Sequence, residues 1–264
     1  MDLGLTGKRA LVTGSTAGIG LATARALTRE GAHVTINGRS AARVRGAVDR
    51  LRSELSATTI DGIAADLGTA DGCRTLIGQL PDIDVLVNNL GIFEVKPFEE
   101  IPDEDWLRFF ETNVLSGIRL ARHYVRGMRS GNWGRIVFIS SESALQIPTE
   151  MIHYGMTKTA QLAVSRGLAE TLKGTGVTVN CVLPGPTASE GVGAFVAQMA
   201  TARGVDAVTV EREFFATARP SSVLQRFATP DEVAAMITFV CSVQASATTG
   251  AALRVDGGVV RAIA

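Results

Sequence analysis

The chain has 264 residues, of which 46% are hydrophobic and 20% are charged, so we expect a folded globular protein with a substantial core. Its 26 basic and 26 acidic residues balance, which gives no indication of binding to nucleic acid or to a membrane surface. The sequence has no run of 18 apolar residues and no secretory signal pattern, so we expect no membrane span and a cytoplasmic location.

Short apolar strands alternate with helical patterns along most of the chain. The predicted strands are Arg9–Thr13, His33–Asn37, Thr59–Ala65, Asp84–Asn88, Arg135–Ser140, Val177–Leu183 and Ala252–Val255. The predicted helices are Gly18–Glu30, Ala41–Leu55, Pro102–Met128, Met151–Lys173 and Pro230–Cys241. Strands rich in Val and Ile that alternate with helices are typical of βαβ units. The pattern therefore predicts an α/β fold with a doubly wound, seven-stranded, mainly parallel sheet that carries helices on both faces.

One segment interrupts this alternation between the sixth strand and the last helix. Residues 190–226 contain two helical patches and the polar stretch ARPSS. Long excursions of this kind often cover a binding site, although a helical decoration for packing or assembly would give the same pattern. We predict a single domain over residues 1–264, with a small helical lid at about residues 190–226.

Cysteine and histidine are sparse and scattered in this sequence. There are three of each, and no Cys-x-x-Cys occurs. We therefore expect neither a disulfide framework nor a metal site.

The first strand runs into a glycine-rich stretch, TGSTAGIG, at residues 13–20. Its glycines, Gly14, Gly18 and Gly20, follow G-x-x-x-G-x-G and not the common G-x-G-x-x-G spacing. A turn from a strand into a helix presents free backbone N–H groups and the positive end of the helix dipole. The stretch therefore predicts a site for a pyrophosphate, with an ordinary tight turn as the alternative.

This stretch resembles the cofactor turn of the short-chain dehydrogenase/reductase family. Further matches follow in the family's order, namely NNLG at 88–91, Asn113, Ser141, Tyr154 with Lys158, PGPTAS at 184–189 and VDGG at 255–258. They cover essentially the whole chain. Leu90 departs from the family, which usually has Ala there, and the lid carries no residues that can be transferred. The resemblance implies a compact Rossmann-type domain that binds a nicotinamide cofactor and forms a homotetramer.

Four residues are predicted to carry the chemistry. Reduction of a carbonyl needs a proton for the developing alkoxide, and a cation beside a tyrosine lowers its pKa towards that task. Tyr154 and Lys158 are four residues apart, so a helix places them on one face. The family spacing selects Ser141 over its neighbouring serines as the residue that binds the substrate oxygen. The resemblance also implies that Asn113 holds a water or a backbone group in a proton relay behind the lysine.

The cofactor site is predicted from the strand ends together with the resemblance. After the second strand, Arg39 and Ser40 stand where a carboxylate would bind the ribose of NAD, so NADP(H) is preferred and NAD(H) remains possible. Ala17 argues against this, because many NADP-preferring relatives have a basic residue there. The predicted cofactor-binding residues are Gly14, Ser15, Thr16, Gly18, Ile19, Gly20, Arg39, Ser40, Asp66, Leu67, Asn89, Gly91, Tyr154, Lys158, Pro184, Gly185 and Thr187.

These features predict an NADP(H)-dependent oxidoreductase that transfers a hydride between a nicotinamide and a carbonyl or alcohol, with tyrosine as the general acid/base. The predicted pocket lies between Ser141–Ile147, Phe93, Met151, Pro186–Thr187 and Glu190–Phe215. Because these side chains are mainly apolar, we expect a small hydrophobic carbonyl or alcohol substrate.

Two other functions stay open. A 3-oxoacyl-carrier-protein reductase resembles this chain closely, but the neutral stretch SGNW at 130–133 lacks the basic residues that often receive the acidic carrier. Enoyl reductases of the same superfamily space their tyrosine and lysine differently. The last alternative is a cofactor-binding regulator without activity, which usually lacks an intact Tyr/Lys pair.

Overall fold

The computed structural model describes residues 1–56 and 59–263. Seven strands form one sheet, in which every pairing between these strands is parallel. The strands are β1 Arg9–Val12, β2 His33–Gly38, β3 Ile60–Ala64, β4 Val85–Asn88, β5 Gly134–Ile139, β6 Val177–Pro184 and β7 Ala252–Val255. The seven predicted strands agree with these bounds to within one residue at each end.

The strand order by itself indicates where a ligand would bind. The sheet has the order β3-β2-β1-β4-β5-β6-β7, so the chain builds outward from β1, returns beside β1 as β4, and then builds in the other direction. Ligands of such sheets bind in the crevice at the carboxyl ends of the strands, where the order reverses. The segments that follow β1 and β4 therefore meet at this crevice. This is the doubly wound fold that the sequence predicts.

Nine α-helices occur in the two ranges that the structure describes. They are α1 Gly18–Arg29, α2 Ala41–Leu55, α3 Ala70–Gln79, α4 Asp103–Phe110, α5 Ser116–Ser130, α6 Ile152–Glu170, α7 Glu190–Arg203, α8 Ala207–Thr217 and α9 Pro230–Val240. Within those same ranges, none of the helices combines the length and the hydropathy needed to cross a bilayer.

The sequence analysis missed α3. Thr69 caps this helix, since its hydroxyl accepts a hydrogen bond from the backbone N–H of Gly72 at 3.0 Å. Two glycines obscure the helical pattern, and Gly72 is there for steric reasons. A Cβ at this position would lie 1.9 Å from the carbonyl oxygen of Asp66.

The helices cover both faces of the sheet because side chains along a strand alternate in direction. Val137 on β5 packs into one core with Leu27 of α1 and Ile237 of α9. The next residue, Phe138, packs into a second core with Leu120 of α5. The sheet is thus buried on both sides, which explains why its strands are nearly continuously apolar.

The predicted helix Pro102–Met128 is interrupted in the structure. The segments α4 and α5 are joined by one π-helical turn, Glu111–Leu115, which contains Asn113. Such turns insert an extra residue into a helix and often occur at functional sites.

The excursion after β6 contains two helices, as the sequence predicts. Ser189 caps α7, and Asp206 caps α8 by accepting a hydrogen bond from the N–H of Thr209 at 2.7 Å. Between them, Gly204 adopts a positive φ of 64° and ends α7. The two helices pack against each other beside the carboxyl end of β6.

Candidate active site

The glycine-rich turn places an open helix N-terminus at the end of β1. Gly14 and Gly18 have φ values of +59° and +56°, a conformation that side chains rarely adopt. In the described part of the chain no side chain caps α1 at Ala17, and its first turn carries no acidic residue. The free N–H groups and the positive dipole end therefore fit a pyrophosphate.

Gly20 allows the turn to pack against the strand end beside it. A Cβ on Gly20 would lie 2.6 Å from Asn89 Nδ2, 2.7 Å from the Gly14 carbonyl oxygen and 2.8 Å from Ser15 Cα. Two of these neighbours are backbone atoms, which cannot move aside cheaply. The third glycine of the motif is thus required for packing.

We expect the Gly20→Ala substitution to lower the free energy of unfolding by about 1–3 kcal/mol, because it overpacks this contact. Gly46→Ala is the matched control, since Gly46 lies within α2 and its Cβ would meet no atom within 4 Å. That variant should gain about 0.5–1 kcal/mol. Urea unfolding of the two variants measures both values. Equal stabilities would contradict the packing role of Gly20.

Ser15 lies in this turn but faces the protein interior. It is fully buried, and its hydroxyl donates to the Val12 carbonyl at 2.6 Å and accepts from the Asn37 N–H at 3.0 Å. Its own N–H donates to the Asn37 carbonyl. The prediction that Ser15 contacts the cofactor disagrees with this arrangement, because its hydroxyl and its N–H are both used inside the fold. Thr16 and Ile19, by contrast, line cavities on the surface of the turn.

Asn89, at the end of β4, holds the glycine turn in place. Its side-chain amide donates to the carbonyl oxygens of Thr13 and Gly14, each at 3.0 Å. The Thr13 hydroxyl in turn accepts from the N–H groups of Asn89 and Leu90 at 2.9 Å. These bonds connect the two strand ends at the topological switch point. Leu90, the departure from the family pattern, packs against the core.

The residues after β2 and β3 border the proposed adenosine side of the site. Arg39 is exposed, and Ser40 caps α2 by accepting from the N–H of Arg43 at 3.4 Å. The Asp66 carboxylate accepts from the N–H of Gly68 at 3.1 Å and closes the turn after β3. Leu67 points its side chain into the core, so only its backbone could meet a ligand.

The Pro184–Thr187 loop follows β6. Gly185 is required there because a Cβ would lie 2.6 Å from the Asp256 carbonyl oxygen. The Thr187 hydroxyl donates to the Gly185 carbonyl at 2.9 Å. All four residues of the loop line the cavity that also contains Ser141 and Tyr154.

Ser141 is the second residue after β5, and its hydroxyl already forms hydrogen bonds. It donates to the carboxylate of Glu142 and accepts from the N–H of Ser143 at 3.1 Å. Sequence reasoning left three serines as candidates here. All three line the same cavity, but the Ser140 hydroxyl donates to the Lys158 carbonyl at 2.8 Å. The Ser141 hydroxyl lies within hydrogen-bonding reach of Tyr154, which favours Ser141.

Tyr154 and Lys158 share one face of α6, as their spacing predicts. The ammonium group of Lys158 donates to the Ile139 carbonyl at 2.9 Å and lies 5.5 Å from the centre of the Tyr154 ring. Burial lowers the pKa of Lys158 from 10.5 to about 8.

The expectation that Lys158 lowers the pKa of Tyr154 is not met in this structure. Burial of the hydroxyl raises the pKa of Tyr154, and the nearby Glu142 carboxylate raises it further. Hydrogen bonding by Ser141 and the charge of Arg219 only partly oppose this. The lysine ammonium contacts a backbone carbonyl and not the phenol oxygen, which is the physical reason for the difference.

Both polar atoms of the Asn113 side chain form hydrogen bonds that hold the Ile92 backbone and Thr157 near Lys158. Its amide oxygen accepts from the Ile92 N–H at 2.8 Å, and its amide nitrogen donates to the Ile92 carbonyl and the Thr157 hydroxyl, each at 3.0 Å. The π-helical turn frees the Asn113 carbonyl, which accepts from Gln161 at 2.6 Å. A Cβ on Gly91 would lie 3.3 Å from the Lys158 ammonium and 3.6 Å from the Asn113 amide oxygen, so these groups converge.

Ser141, Tyr154 and Lys158 line one cavity of about 720 Å³. This volume is within the usual range for ligand sites. The lid lines this cavity mainly with apolar side chains, among them Val192, Val196, Met199 and Phe214, and also with the ion pair Arg203–Glu213. The other end of the cavity is charged, which the sequence analysis missed.

At that charged end, Arg219 donates to the Glu142 carboxylate at 3.1 Å and to Glu150 at 3.3 Å. A carboxylate directly after a strand end, next to the predicted serine, was the signal that could have identified Glu142.

In the part of the chain that the structure describes, the cysteines form no disulfide and no metal-binding cluster occurs. All three cysteines are buried and free. Across residues 1–56 and 59–263, no group of three or more Cys, His, Asp or Glu side chains is arranged to hold a metal ion.

Comparison with known proteins gives relatives along the whole chain. A family model described as Enoyl-(Acyl carrier protein) reductase matches residues 14–260. The uncharacterized oxidoreductase YvaG of Bacillus subtilis is 47% identical over 263 residues, covering 100% of both chains. The 3-oxoacyl-[acyl-carrier-protein] reductase FabG of Aquifex aeolicus is 30% identical, covering 98% of this chain and 99% of that one.

A solved structure shows the same architecture. L-sorbose reductase from Gluconobacter frateurii, complexed with NADPH and L-sorbose, has a TM-score of 0.92 and 31% identity, covering 100% of both chains. The chain belongs to the short-chain dehydrogenase/reductase family of oxidoreductases.

Proposed function

We propose that this oxidoreductase uses NADP(H) to interconvert a small carbonyl compound and its alcohol. One observation carries the proposal. The Ser141, Tyr154 and Lys158 side chains line the same cavity as Ile19 and Asn89, which belong to the cofactor half of the site. A reacting oxygen beside Ser141 and Tyr154 would therefore lie next to a nicotinamide.

The residues present fit such a cofactor. The uncapped N-terminus of α1 would hold the pyrophosphate, and the backbone of Leu67 with Asp66 would border the adenine. The strand end after β2 offers Arg39 and no carboxylate, which favours a 2′-phosphate. The related L-sorbose reductase contains NADPH, which supports the same preference. When bound, the nicotinamide supplies or accepts the hydride at the carbonyl carbon.

The protein's own residues handle the proton. In the direction of reduction, Tyr154 donates its phenolic proton to the oxygen that becomes the alcohol, and Ser141 holds that oxygen by a hydrogen bond. Tyr154 is protonated at neutral pH, as an acid must be, but the burial that raises its pKa also makes it a weaker donor. Its proton transfer therefore depends on a cation that stabilises the phenolate as it forms. Ser141 must first release its bond to Glu142 before it can donate to the substrate.

Lys158 and Asn113 support this proton transfer. Lys158 carries a positive charge below its pKa of about 8 and can stabilise the phenolate left on Tyr154. Asn113 fixes the Ile92 backbone and Thr157 beside α6, so we assign it a positioning role behind the lysine.

A screen of ketones and alcohols with NADPH, NADH and their oxidised forms tests this function. Turnover of simple carbonyl compounds is the expected result. Activity restricted to acyl-carrier-protein thioesters would favour the 3-oxoacyl-carrier-protein reductase, of which FabG is a relative at 30% identity. Cofactor binding without turnover of any substrate would instead indicate a regulator.

The cofactor preference is expected to depend on Arg39. We expect Arg39→Ala to raise the KM for NADPH about tenfold and to change the KM for NADH little, because only the former has a phosphate to pair with the guanidinium. Arg45→Ala, which removes an exposed arginine from the neighbouring helix, is the control and should affect neither value. A wild-type preference for NADH would contradict the assignment.

We also propose that residues 1–264 act as one domain and that α7 and α8 form a lid over the substrate. The apolar residues that these helices contribute to the cavity support this role. The homotetramer implied by the family resemblance stays a prediction.

A further inference from the structure

Glu142 places a buried carboxylate next to the residues proposed to hold the reacting oxygen. Its side chain is only 6% exposed. One carboxylate oxygen accepts from the Ser141 hydroxyl and from the N–H of Ser143 at 2.9 Å, and the other accepts from Arg219 at 3.1 Å. Burying a charge costs free energy even when it is paired, so a carboxylate here needs a reason beyond packing.

Arg219 is shared between two carboxylates at this end of the cavity. It follows α8 and is 10% exposed at its side chain, and it donates to both Glu142 and Glu150. Two carboxylates thus share one guanidinium. Lys158 adds a second positive charge to the same cavity, so the charges of these four side chains cancel. The Glu142 carboxylate that is bonded to Ser141 still favours a hydrogen-bond donor at its own position, and it disfavours a second carboxylate there.

The position of Glu142 relative to Ser141 determines which hydrogen-bond donor of a substrate can reach its carboxylate. Its carboxylate is one hydrogen bond away from the Ser141 hydroxyl, which would hold the reacting oxygen. Once Ser141 turns to the substrate, the carboxylate oxygen that it leaves lacks one partner. A hydroxyl on the carbon adjacent to the reacting carbon would supply the missing hydrogen bond.

We propose that Glu142 is a specificity-determining residue that accepts a hydrogen bond from a hydroxyl adjacent to the reacting carbon. The substrate class is then a neutral α-hydroxy ketone, or a vicinal diol in the direction of oxidation. This inference rests on the proposed function, since it assumes carbonyl chemistry at Ser141 and Tyr154. It revises the expectation of a purely hydrophobic substrate, while the mainly apolar lid side accommodates the rest of the molecule.

The wild-type enzyme provides the first test. Values of kcat/KM with NADPH are compared for 3-hydroxybutan-2-one, its steric match 3-methylbutan-2-one, and 3-methoxybutan-2-one, which keeps the electronegative oxygen but cannot donate. We expect both comparison ketones to be at least about tenfold poorer, as is typical when a hydrogen bond to a charged group is lost. Pyruvate should be poorer still, because it places a carboxylate, and no hydrogen-bond donor, beside Glu142.

A matched pair of variants locates the effect. Glu142→Gln should lower the ratio of kcat/KM between 3-hydroxybutan-2-one and 3-methylbutan-2-one about tenfold, since a neutral amide accepts more weakly. Glu150→Gln removes the other carboxylate on Arg219 and should change that ratio by less than about threefold. The ratio is informative even if both variants lose overall activity, because a general defect acts on both ketones.

The outcomes separate this inference from the proposed function. Equal wild-type turnover of the three ketones, or an unchanged ratio in the Glu142 variant, would show that the Glu142–Arg219 pair only fastens the lid and would overturn the inference. In either case the enzyme would still be a carbonyl reductase. Failure of the proposed function has a different signature, since no carbonyl compound would then be turned over with either cofactor.

Discussion

Replacing Tyr154 with phenylalanine is expected to lower kcat by about two to four orders of magnitude, while NADPH still binds. The substitution removes the only group proposed to give the substrate oxygen its proton, and general acid catalysis typically contributes an effect of this size. It removes no group proposed to contact the pyrophosphate or the adenine. Initial rates at saturating substrate, together with a fluorescence titration of NADPH, measure the two quantities separately.

The second tyrosine of the chain provides the control for this prediction. Tyr124 is buried on α5 in the second core, and its hydroxyl donates to the Leu80 carbonyl at 2.7 Å. It is not among the residues that line the cavity. Tyr124→Phe should therefore keep kcat and lose about 1 kcal/mol of stability through one hydrogen bond. Near-normal turnover in the Tyr154 variant would remove the basis for the assigned mechanism.

Replacing Lys158 with methionine is expected to stabilise the cofactor-free protein at neutral pH by up to about 3 kcal/mol. Burial lowers the pKa of this lysine from 10.5 to about 8, and a difference of that size corresponds to about 3 kcal/mol against its charged form in the folded state. The variant also loses the hydrogen bond from Lys158 to the Ile139 carbonyl, which offsets about 1 kcal/mol of the gain at every pH. The protein thus keeps a charged group at a cost to its stability.

The pH dependence of this difference is the sharper measurement. Between pH 8 and pH 10.5, the lysine holds its proton in the unfolded chain but not in the folded one. The free energy of unfolding of the wild type therefore rises with pH relative to that of the variant across this window. The stability advantage of the variant should be full below pH 8 and should have disappeared above about pH 10.5. Urea unfolding of both proteins at a series of pH values gives the difference directly.

Lys173→Met is the matched control for this experiment. Lys173 is 80% exposed and pairs with Glu170 at the surface, so its removal should change stability by less than about 1 kcal/mol at any pH in this range. A constant difference between wild type and the Lys158 variant from pH 7 to pH 10.5 would show that burial does not penalise the charge at Lys158.

Much of the fold could be predicted because its signals are local. The strands β1 to β7 are short apolar runs bounded by polar residues, and their alternation with helices specifies a parallel, doubly wound sheet. The helix α3 was missed since its two glycines weaken the helical pattern, and Gly72 can be understood only from its contact with the turn at Asp66. The π-helical turn at Asn113 was missed for a similar reason, because one inserted residue leaves no periodic signal.

The residue types of the candidate site could also be identified from the sequence. Tyr154 and Lys158 lie on one face of α6 because four residues make about one helical turn, and Ser141 follows β5 because the strand ends there. Their convergence in one cavity follows from the strand order, since parallel strands bring their carboxyl ends to the same edge of the sheet.

The sequence by itself determined the fold class, the family motifs and the identity of the proposed proton donor, because each depends on spacing along the chain. Only the tertiary structure decided what surrounds those groups. In the folded protein Ser15 points inward, and the Lys158 ammonium donates to the Ile139 carbonyl. Arg219 donates to the carboxylate of Glu142, which lies 77 positions earlier in the chain. Burial and charge at a site are sums over residues that are distant in sequence, and no local pattern encodes such a sum.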